Sequence, residues 1–514
     1  MKLALLIVYF AVMIGIGIYC RKQATDVNGF VLGGRSVGPW LTAFAYGTSY
    51  FSAVVFIGYA GQFGWKYGIA ATWAGIGNAL IGSLLAWVIL GRRTRIMTQH
   101  FNSATMPQFF EKRFQSTGLK IGSSIIIFIF LIPYTASLFN GLSRLFGTAF
   151  NMDYTVCIIL MGVLTGIYVI AGGYMATAIN DFIQGCIMLV GIIAVIAAVL
   201  NSQGGFMEAL RGIAEVSDPT VLNGEVPGVF ASFFGPDPIN LLGVVILTSL
   251  GTWGLPQMVQ KFYAIKSEDA IKKGTIISTL FAMVVAGGCY FLGGFGRLFS
   301  DKIDIAANGY DSIIPTMLSG LPEMLIAFVV ILVLSASMST LSSLVITSSS
   351  TLTMDLLREK VKGVKKMNEF ELVFVMRIFI VVFVVISMIL AIVQYKQSIS
   401  FIAQLMAVSW GALAGAFLAP FLYGLYWKKT TKAACWVSFL FGSGVMLLNM
   451  VAKPLFPTLL QSPINCGAFV MLAGLVIVPL VSLFTKAPNQ DMVNAAFACY
   501  DKTAPVKQRT ALHD

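Results

Sequence analysis

Thirteen apolar runs, each close to 20 residues or longer, constrain the fold of this chain more than any other feature. A helix needs about 20 consecutive apolar residues to cross the hydrocarbon core of a bilayer. The composition agrees, because 57% of the 514 residues are hydrophobic and 11% are charged, which leaves too little polar surface for a soluble protein of this length. We therefore expect an all-α polytopic membrane protein with about thirteen transmembrane helices.

The basic residues predict how these helices are oriented. The net charge of +12 is concentrated in alternate loops, such as 92–95, 358–366 and 428–432, and basic loops stay on the cytoplasmic side. With the first run at 3–20 retained as a helix, the pattern predicts an outside N-terminus, a cytoplasmic C-terminus and a location in the cell membrane. The positive charge therefore indicates membrane topology and not a nucleic-acid partner.

The order of the spans is consistent with two related halves. Spans two to six and seven to eleven form two groups of five, and because five is odd the second group starts from the opposite face, as in an inverted repeat. The predicted segments are an N-terminal extra helix and loop at 1–37, a first repeat at 38–200, an outside loop at 201–238, a second repeat at 239–430, two peripheral helices at 431–485 and a cytoplasmic tail at 486–514.

The first helix of each group contains residues that interrupt helices. Residues 45–52, AYGTSYFS, place a glycine and several hydroxyls inside an apolar run, and residues 251–257, GTWGLPQ, contain Gly254 and Pro256. In transporters with inverted repeats, broken helices near the midplane bind substrates and ions through freed backbone groups and helix dipoles. A plain kink explains one such site, but two at matching positions favour a binding site.

A hydroxyl-rich stretch lies within the apolar run at 321–357. Six of the nine residues at 335–343, SASMSTLSS, are Ser or Thr. Hydroxyls three or four residues apart share one helix face and suit a hard cation such as Na⁺, which prefers oxygen ligands. The alternative is that each hydroxyl donates to the carbonyl four residues earlier and supports helix packing. These residues alone leave both interpretations open.

Asp181 is a further candidate inside the membrane. It lies at the start of the sixth predicted span, where an ionisable group is costly unless it is paired or solvated. Its position alone favours an N-cap at the cytoplasmic end of that helix, a role that Asp fills well.

Several motifs, in order along nearly the whole chain, resemble those of the sodium:solute symporter family, which includes bacterial proline and sialic acid symporters and the sodium-glucose transporters. They are FVLGGRS at 30–36, IYVIAGGYMA at 167–176, GLPQ at 254–257 with KFYA at 261–264, SMSTLSS at 337–343 and LYWKK at 425–429. Lys261 stands where the family more often has Arg, a minor departure. The resemblance implies a LeuT-like core with a 5+5 inverted repeat, and Na⁺-coupled uptake of a small organic solute by alternating access.

The resemblance also implies ligands for the coupling ion. A main sodium site would use the backbone carbonyls of Thr48, Phe51 and Ala336 and the hydroxyls of Ser339 and Thr340. A second sodium site, present in only some members, would use Asp181, Ser339, Ser342 and Ser343, so that one or two Na⁺ ions are transported. Because a nearby cation lowers the cost of burying a carboxylate, the resemblance favours an ion-ligand role for Asp181 over the N-cap.

The solute is expected beside this ion site, at the two broken helices and the third and fourth spans. The candidates combine aromatic faces with amide and hydroxyl groups, which suits a small, partly apolar molecule: Tyr50, Ser52, Asn78, Tyr134, Trp253 and Gln257. The expected classes are amino acids, monocarboxylates, sugars and vitamins. Tyr134 matches a tyrosine position of the proline transporters, but Tyr50 stands where they carry an aspartate, which weighs against proline itself.

Other functions need features that we do not find in the sequence. A non-transporting sensor on the same scaffold would need a signalling domain, for which 486–514 leaves no room, and an enzyme would need a convergent catalytic set. Proton coupling through Asp181 stays open as the rival within the transporter class. The expected partners are a small organic solute, Na⁺ and the lipid bilayer, without an obligate protein partner.

Overall fold

The computed structural model describes residues 2–150, 152–397 and 402–500. This part of the chain is helical and contains no β-strand, which confirms the all-α prediction for it. The principal helices are α1 (Lys2–Cys20), α2 (Pro39–Tyr50), α3 (Ala60–Tyr67), α4 (72–100), α5 (Met106–Phe114), α6 (Thr117–Phe150), α7 (Tyr154–Ser202), α8 (Phe206–Glu215), α9 (Pro238–Leu250), α10 (Pro256–Ala264), α11 (Glu268–Gly293), α12 (Glu323–Thr351), α13 (Glu369–Gln397), α14 (Ile402–Tyr426), α15 (Lys432–Val451), α16 (Pro463–Phe484) and α17 (Gln490–Phe497).

Within the described ranges, ten helices are long and apolar enough to cross a membrane, or eleven if the bent pair α9 and α10 is counted as one span. Two of the ten, Val54–His100 with 47 residues and Tyr154–Ser202 with 49, are more than twice as long as one crossing needs. Each contains a glycine at positive φ, Gly68 at 62° and Gly173 at 56°. A left-handed backbone interrupts the helical path at both places, because residues with a Cβ rarely adopt it.

Both helices that the sequence predicts to be broken are broken at the predicted places. α2 ends at Tyr50, and Phe51 is extended, with φ −92° and ψ 111°, before the chain becomes helical again and continues into α3. α9 is followed by a short turn at 251–253, and Leu255 is extended, with φ −82° and ψ 122°, before Pro256 opens α10. The bend between these two segments is 40°. Each break leaves carbonyl groups without an intrahelical partner.

α12 forms the centre of the bundle. It packs against α6, α7, α13 and the first broken helix α2, and every residue from Val329 to Thr351 is buried. Its hydroxyl groups therefore face other helices and not lipid. The broken helix α2 packs in turn against α7, α11 and α12, so that the break in α2 lies next to the hydroxyl-rich part of α12.

Arg35 connects the two broken helices at one face of the bundle. Its guanidinium donates a hydrogen bond of 3.2 Å to the carbonyl of Tyr263, near the end of α10. The backbone beside it makes two further bonds, from Val37 N–H to the Ala264 carbonyl at 3.3 Å and from Lys266 N–H to the Val37 carbonyl at 3.0 Å. The start of α2 and the end of α10 are therefore fixed to each other at this face.

α14 and α15 cross at a glycine contact. A Cβ at Gly442 of α15 would lie 2.3 Å from the backbone nitrogen of Ala416 and 2.3 Å from the carbonyl carbon of Gly415, both in α14. Gly444, two positions along the same helix, has no heavy atom within 4 Å of such a Cβ. The close approach of α15 to α14 therefore depends on Gly442 and not on Gly444.

We expect Gly442→Ala to lower the melting temperature of the purified protein, because the added methyl group forces two backbones apart, at a cost of about 1–3 kcal/mol. Gly444→Ala is the matched control and should leave the melting temperature unchanged or raise it slightly, since Ala favours helix over Gly. Equal melting temperatures for the two variants would contradict this crossing.

Candidate ion and solute site

Two hydroxyls of α12 meet the carbonyls that the break in α2 leaves free. Ser339 Oγ lies 3.1 Å from the carbonyl oxygen of Thr48 and 3.1 Å from that of Ala336. Thr340 Oγ1 lies 3.1 Å from the Thr48 carbonyl, 3.4 Å from the Phe51 carbonyl and 3.2 Å from the Ala336 carbonyl. All five residues are buried. The structure thus brings the five residues predicted for the main sodium site into one cluster of oxygen atoms.

This cluster has the chemistry of a site for a small hard cation. Hard cations take oxygen ligands at about 2.3–2.6 Å, and such ligands lie about 3.3–3.7 Å from their neighbours when they point to one centre at right angles. The oxygens here are 3.1–3.4 Å apart. The cluster contains two hydroxyl groups, each with one proton, and three carbonyl oxygens. Hydrogen bonds from two protons cannot occupy all the lone pairs of these oxygens. A cation among the five oxygens would use them.

The neighbouring hydroxyls on α12 behave differently. Ser342 Oγ donates to the Ser339 carbonyl at 2.8 Å, and Ser343 Oγ lies 3.2 Å from the same carbonyl. Ser337 Oγ is buried without a hydrogen-bond partner among the described residues. The helix-packing interpretation therefore fits Ser342, whereas Ser339 and Thr340 also reach another helix. The sequence spacing alone did not separate these two kinds of hydroxyl.

Asp181 lies in the interior of α7, well beyond the interruption at Gly173. The N-cap interpretation is wrong, because helical residues precede Asp181 and its carboxylate accepts no bond from a backbone N–H. The side chain is fully buried, and neither carboxylate oxygen has a hydrogen-bond partner in the described structure.

The three serines predicted for a second sodium site are close in sequence but make different contacts. Ser339 belongs to the main cluster, and Ser342 bonds to its own helix. Ser343 Oγ accepts a hydrogen bond of 2.9 Å from Lys261 Nζ and lies 2.9 Å from Ser49 Oγ. The hydrogen bonds found in the described ranges connect none of these three serines to Asp181.

Three of the predicted solute residues are buried around the two breaks. Ser52 follows the extended residue of the first break, and its Oγ accepts a bond of 3.2 Å from Val54 N–H. Tyr134 of α6 is fully buried, and its ring lies at right angles to the Trp410 ring, 6.0 Å away. Gln257 lies in the first turn of α10, fully buried. Neither its amide nitrogen nor its amide oxygen has a hydrogen-bond partner among the described residues.

The other predicted solute residues are placed differently. Asn78 Oδ1 accepts a bond of 3.3 Å from Ser249 Oγ, and Trp253 Nε1 donates one of 2.9 Å to the Ile81 carbonyl. Both side chains therefore connect α4 to the second broken helix. Tyr50 is the last residue of α2, and its side chain lies outside the described part of the structure.

Two residues of this region escaped the sequence analysis. The Tyr59 hydroxyl and the side-chain amide oxygen of Gln62 are buried and lack hydrogen-bond partners within the described chain. Both residues follow the first break, three positions apart, and so share a helix face. That polar pair in an apolar segment was the signal that could have identified them.

Proteins similar in sequence to this chain are transporters. A model described as the sodium:solute symporter family matches residues 30–442. The osmoregulated proline transporter OpuE of Bacillus subtilis (strain 168) is 29% identical over 485 residues, which are 94% of this chain and 94% of that protein. A sodium/proline symporter of Staphylococcus aureus (strain JH9) is 31% identical over 501 residues, covering 94% of this chain and 92% of that protein.

Solved structures with a similar fold are also transporters. A Na⁺-coupled sialic acid symporter in a substrate-bound outward-open state has a TM-score of 0.75 at 15% identity, covering 95% of this chain and 99% of that one. Mhp1, a nucleobase-cation-symport-1 family transporter, has a TM-score of 0.54 at 13% identity, covering 91% and 97%. At such identities the likeness establishes the fold alone, which is that of LeuT-like transporters.

We expect Ser339→Ala and Thr340→Ala to abolish the stabilisation of the purified protein by Na⁺, because each removes one of the two hydroxyls of the cluster. A ligand that binds the folded state raises its stability, by about 2.7 kcal/mol at 100 times its Kd. The measurement is the melting temperature in NaCl against KCl at equal ionic strength. Ser337→Ala is the matched control on the same helix and should keep the sodium shift. A shift that survives in Ser339→Ala would contradict the site.

Proposed function

Because this chain belongs to the sodium:solute symporter family, we propose that it takes up a small organic solute together with Na⁺ by alternating access. Its relatives are transporters and not enzymes, and it is a multi-pass membrane protein. The observation that carries the proposal is the cluster of five oxygens, because it joins the broken helix α2 to α12 through groups that suit Na⁺.

The proposed topology has thirteen crossings, in a core of two inverted five-helix repeats. In this count Val54–His100 and Tyr154–Ser202 each provide two crossings, separated at Gly68 and Gly173. The bent pair α9 and α10 provides one crossing. Basic residues support a cytoplasmic location for the face where α2 begins, since Arg35 and Arg95 both bond to backbone carbonyls there. In this orientation the N-terminus is outside, the C-terminus is cytoplasmic, and the loop at 201–238 is outside.

The proposed coupling follows from the position of the ion. Na⁺ among the Thr48, Phe51 and Ala336 carbonyls would hold the break in α2 in one geometry, and the solute is expected beside that break. An ion that raises the affinity for solute must itself bind more tightly when solute is present. The membrane potential adds about 2.3 kcal/mol per charge per 100 mV to inward movement of the ion.

The proposed solute site lies between the two breaks. Gln257 presents a buried amide donor and acceptor that have no hydrogen-bond partner among the described residues, and the buried Tyr59 and Tyr134 hydroxyls also lack one there. Ser52, Tyr50, Asn78 and Trp253 complete the candidate set. A cavity of about 320 Å³ on the face of loop 201–238 is lined by Phe63 and Tyr67 of the first broken helix and by Asn240 and Val244 of the second. It supports entry of the solute from that side.

The candidate solutes are small molecules with both hydrogen-bond donors and acceptors. None of the candidate solute residues is charged, so that a solute carboxylate would depend on the Gln257 amide, the tyrosine hydroxyls and Na⁺. The similarity to proline transporters makes L-proline the first solute to test. Other amino acids, monocarboxylates, sugars and vitamins follow.

Uptake into proteoliposomes tests the function. Radiolabelled solute should accumulate when Na⁺ is supplied outside, and an inside-negative potential should increase the rate. K⁺ in place of Na⁺ should abolish accumulation. The Asp181 carboxylate, buried and without a hydrogen-bond partner among the described residues, favours one rival, proton coupling. Accumulation that follows a proton gradient and ignores Na⁺ would establish that rival and overturn sodium coupling.

We expect Gln257→Leu to raise the KM for solute about tenfold or more, because a hydrogen bond to a charged group contributes about 1.5–3 kcal/mol and 1.4 kcal/mol is a factor of ten. The sodium-dependent melting shift should persist in this variant, since Gln257 is not in the ion cluster. An unchanged KM would remove Gln257 from the solute site, and loss of the sodium shift would indicate a general structural defect.

A further inference from the structure

The segment at 489–500, which contains α17, packs against the bundle on the face where α4 ends. Its apolar side is buried, with exposed fractions of 1% for Val493 and 6% for Phe497. The Tyr500 hydroxyl donates a hydrogen bond of 3.0 Å to the backbone carbonyl of Arg93, near the end of α4. The segment is therefore docked by both apolar and polar contacts.

Arg93 lies where this segment meets the end of α14. Its guanidinium donates a hydrogen bond of 2.9 Å to the Leu425 carbonyl, one of the last carbonyls of α14, which have no partner within their own helix. The same guanidinium lies over the rings of Tyr426 and Tyr500, 4.1 and 4.6 Å from the two ring centres. One side chain of α4 thus contacts both α14 and the docked segment.

Arg113 of α5 repeats this arrangement. It is fully buried and donates hydrogen bonds of 2.9 Å to the Gly424 carbonyl and 3.2 Å to the Trp427 carbonyl, at the end of α14. Its guanidinium lies over the Phe497 ring, 5.0 Å from the ring centre. Two arginines therefore bind the end of α14, and each also meets a ring of the segment at 489–500.

The end of α4 is also bonded to the inner halves of the broken helices, α2 and α10. Arg95 of α4 donates a hydrogen bond of 2.6 Å to the Ile265 carbonyl, just after α10. Arg35, just before α2, donates one of 2.6 Å to the Ser103 carbonyl, just after α4. In transporters with inverted repeats, one group of helices rocks against the rest. The docked segment therefore connects the group formed by α2, α4 and α10 to α5 and α14.

We propose that the segment at 489–500 is a latch that resists opening of this face, through the contacts of Tyr500 with Arg93 and of Phe497 with Arg113. The inference rests on alternating access in the proposed function, since release of solute on this face requires α2 and α10 to move away from their neighbours. A contact between a cation and a ring is weak where water reaches it, and Tyr500 is half-buried. The latch can therefore release and dock again in each cycle.

The distance between two spin labels in the purified full-length protein tests the latch. The labels replace Lys273 of α11, which packs against α2, and Lys429, just after α14, and both positions are exposed. Unnatural amino acids carry the labels, so that the native cysteines stay. We expect the double variant Phe497→Leu, Tyr500→Leu to raise the ratio of long to short distances about tenfold, a factor that two lost cation–π contacts supply.

Tyr500→Phe is the matched control, because it keeps both rings and should keep the wild-type distances. Unchanged distances in the double variant would overturn the latch, and so would an equal rise in Tyr500→Phe. If the double variant does not fold, Tyr500→Leu alone decides and should give a smaller rise. The distances are measured without transport, so that a latch that responds in a protein without Na⁺-driven uptake counts against the proposed function alone.

Discussion

Buried carbonyl groups at the break between α2 and α3 are the constraint on which the rest of the structure depends. In a membrane each backbone polar group must find a partner inside the protein, because an unsatisfied one costs several kcal/mol. Here Ser339 and Thr340 lie within hydrogen-bond distance of the Thr48 carbonyl, and Thr340 also reaches that of Phe51. The same hydroxyls that make the break tolerable bring five oxygens together. The break and the candidate ion site are therefore one feature.

Close backbone contacts hold the broken helix in place. A Cβ at Gly64 of α3 would lie 1.9 Å from the carbonyl oxygen of Gly293 of α11, and a Cβ at Gly293 would lie 2.0 Å from the carbonyl oxygen of Ala60. Only residues without a side chain permit so close a crossing. At the other end, Arg35 and the backbone of Val37 fix the start of α2 to the end of α10. The first broken helix is thus held at two separate places, α3 at its crossing with α11 and the start of α2 at the end of α10.

The two buried polar clusters differ in the side chains that form them. The main cluster consists of carbonyl and hydroxyl oxygens, which bind a cation without a formal negative charge and so allow it to leave. In the second cluster Lys261 donates a hydrogen bond to Ser343, which connects it to α2 and α12. We regard the first as the place of an exchangeable ion and the second as a permanent junction beside it.

The local properties of the chain were determined by sequence alone. Apolar length predicted an all-helical membrane protein, because crossing a bilayer requires about 20 apolar residues. The breaks were predicted at 45–52 and 251–257, since glycine, proline and hydroxyl groups act on the backbone next to them. The resemblance to a family then named Thr48, Phe51, Ala336, Ser339 and Thr340, and the structure brings these five residues together.

Only the tertiary structure decided which partner each polar group meets. Spacing shows which hydroxyls share a helix face, but not which helix covers that face, and the bond from Ser339 to Thr48 joins residues 291 positions apart. For the same reason Asp181 looked like an N-cap in sequence but lies inside α7, and Lys261 looked like a minor departure but binds Ser343. Contacts between distant segments follow from packing of the whole bundle, whereas helices and their breaks follow from neighbouring residues.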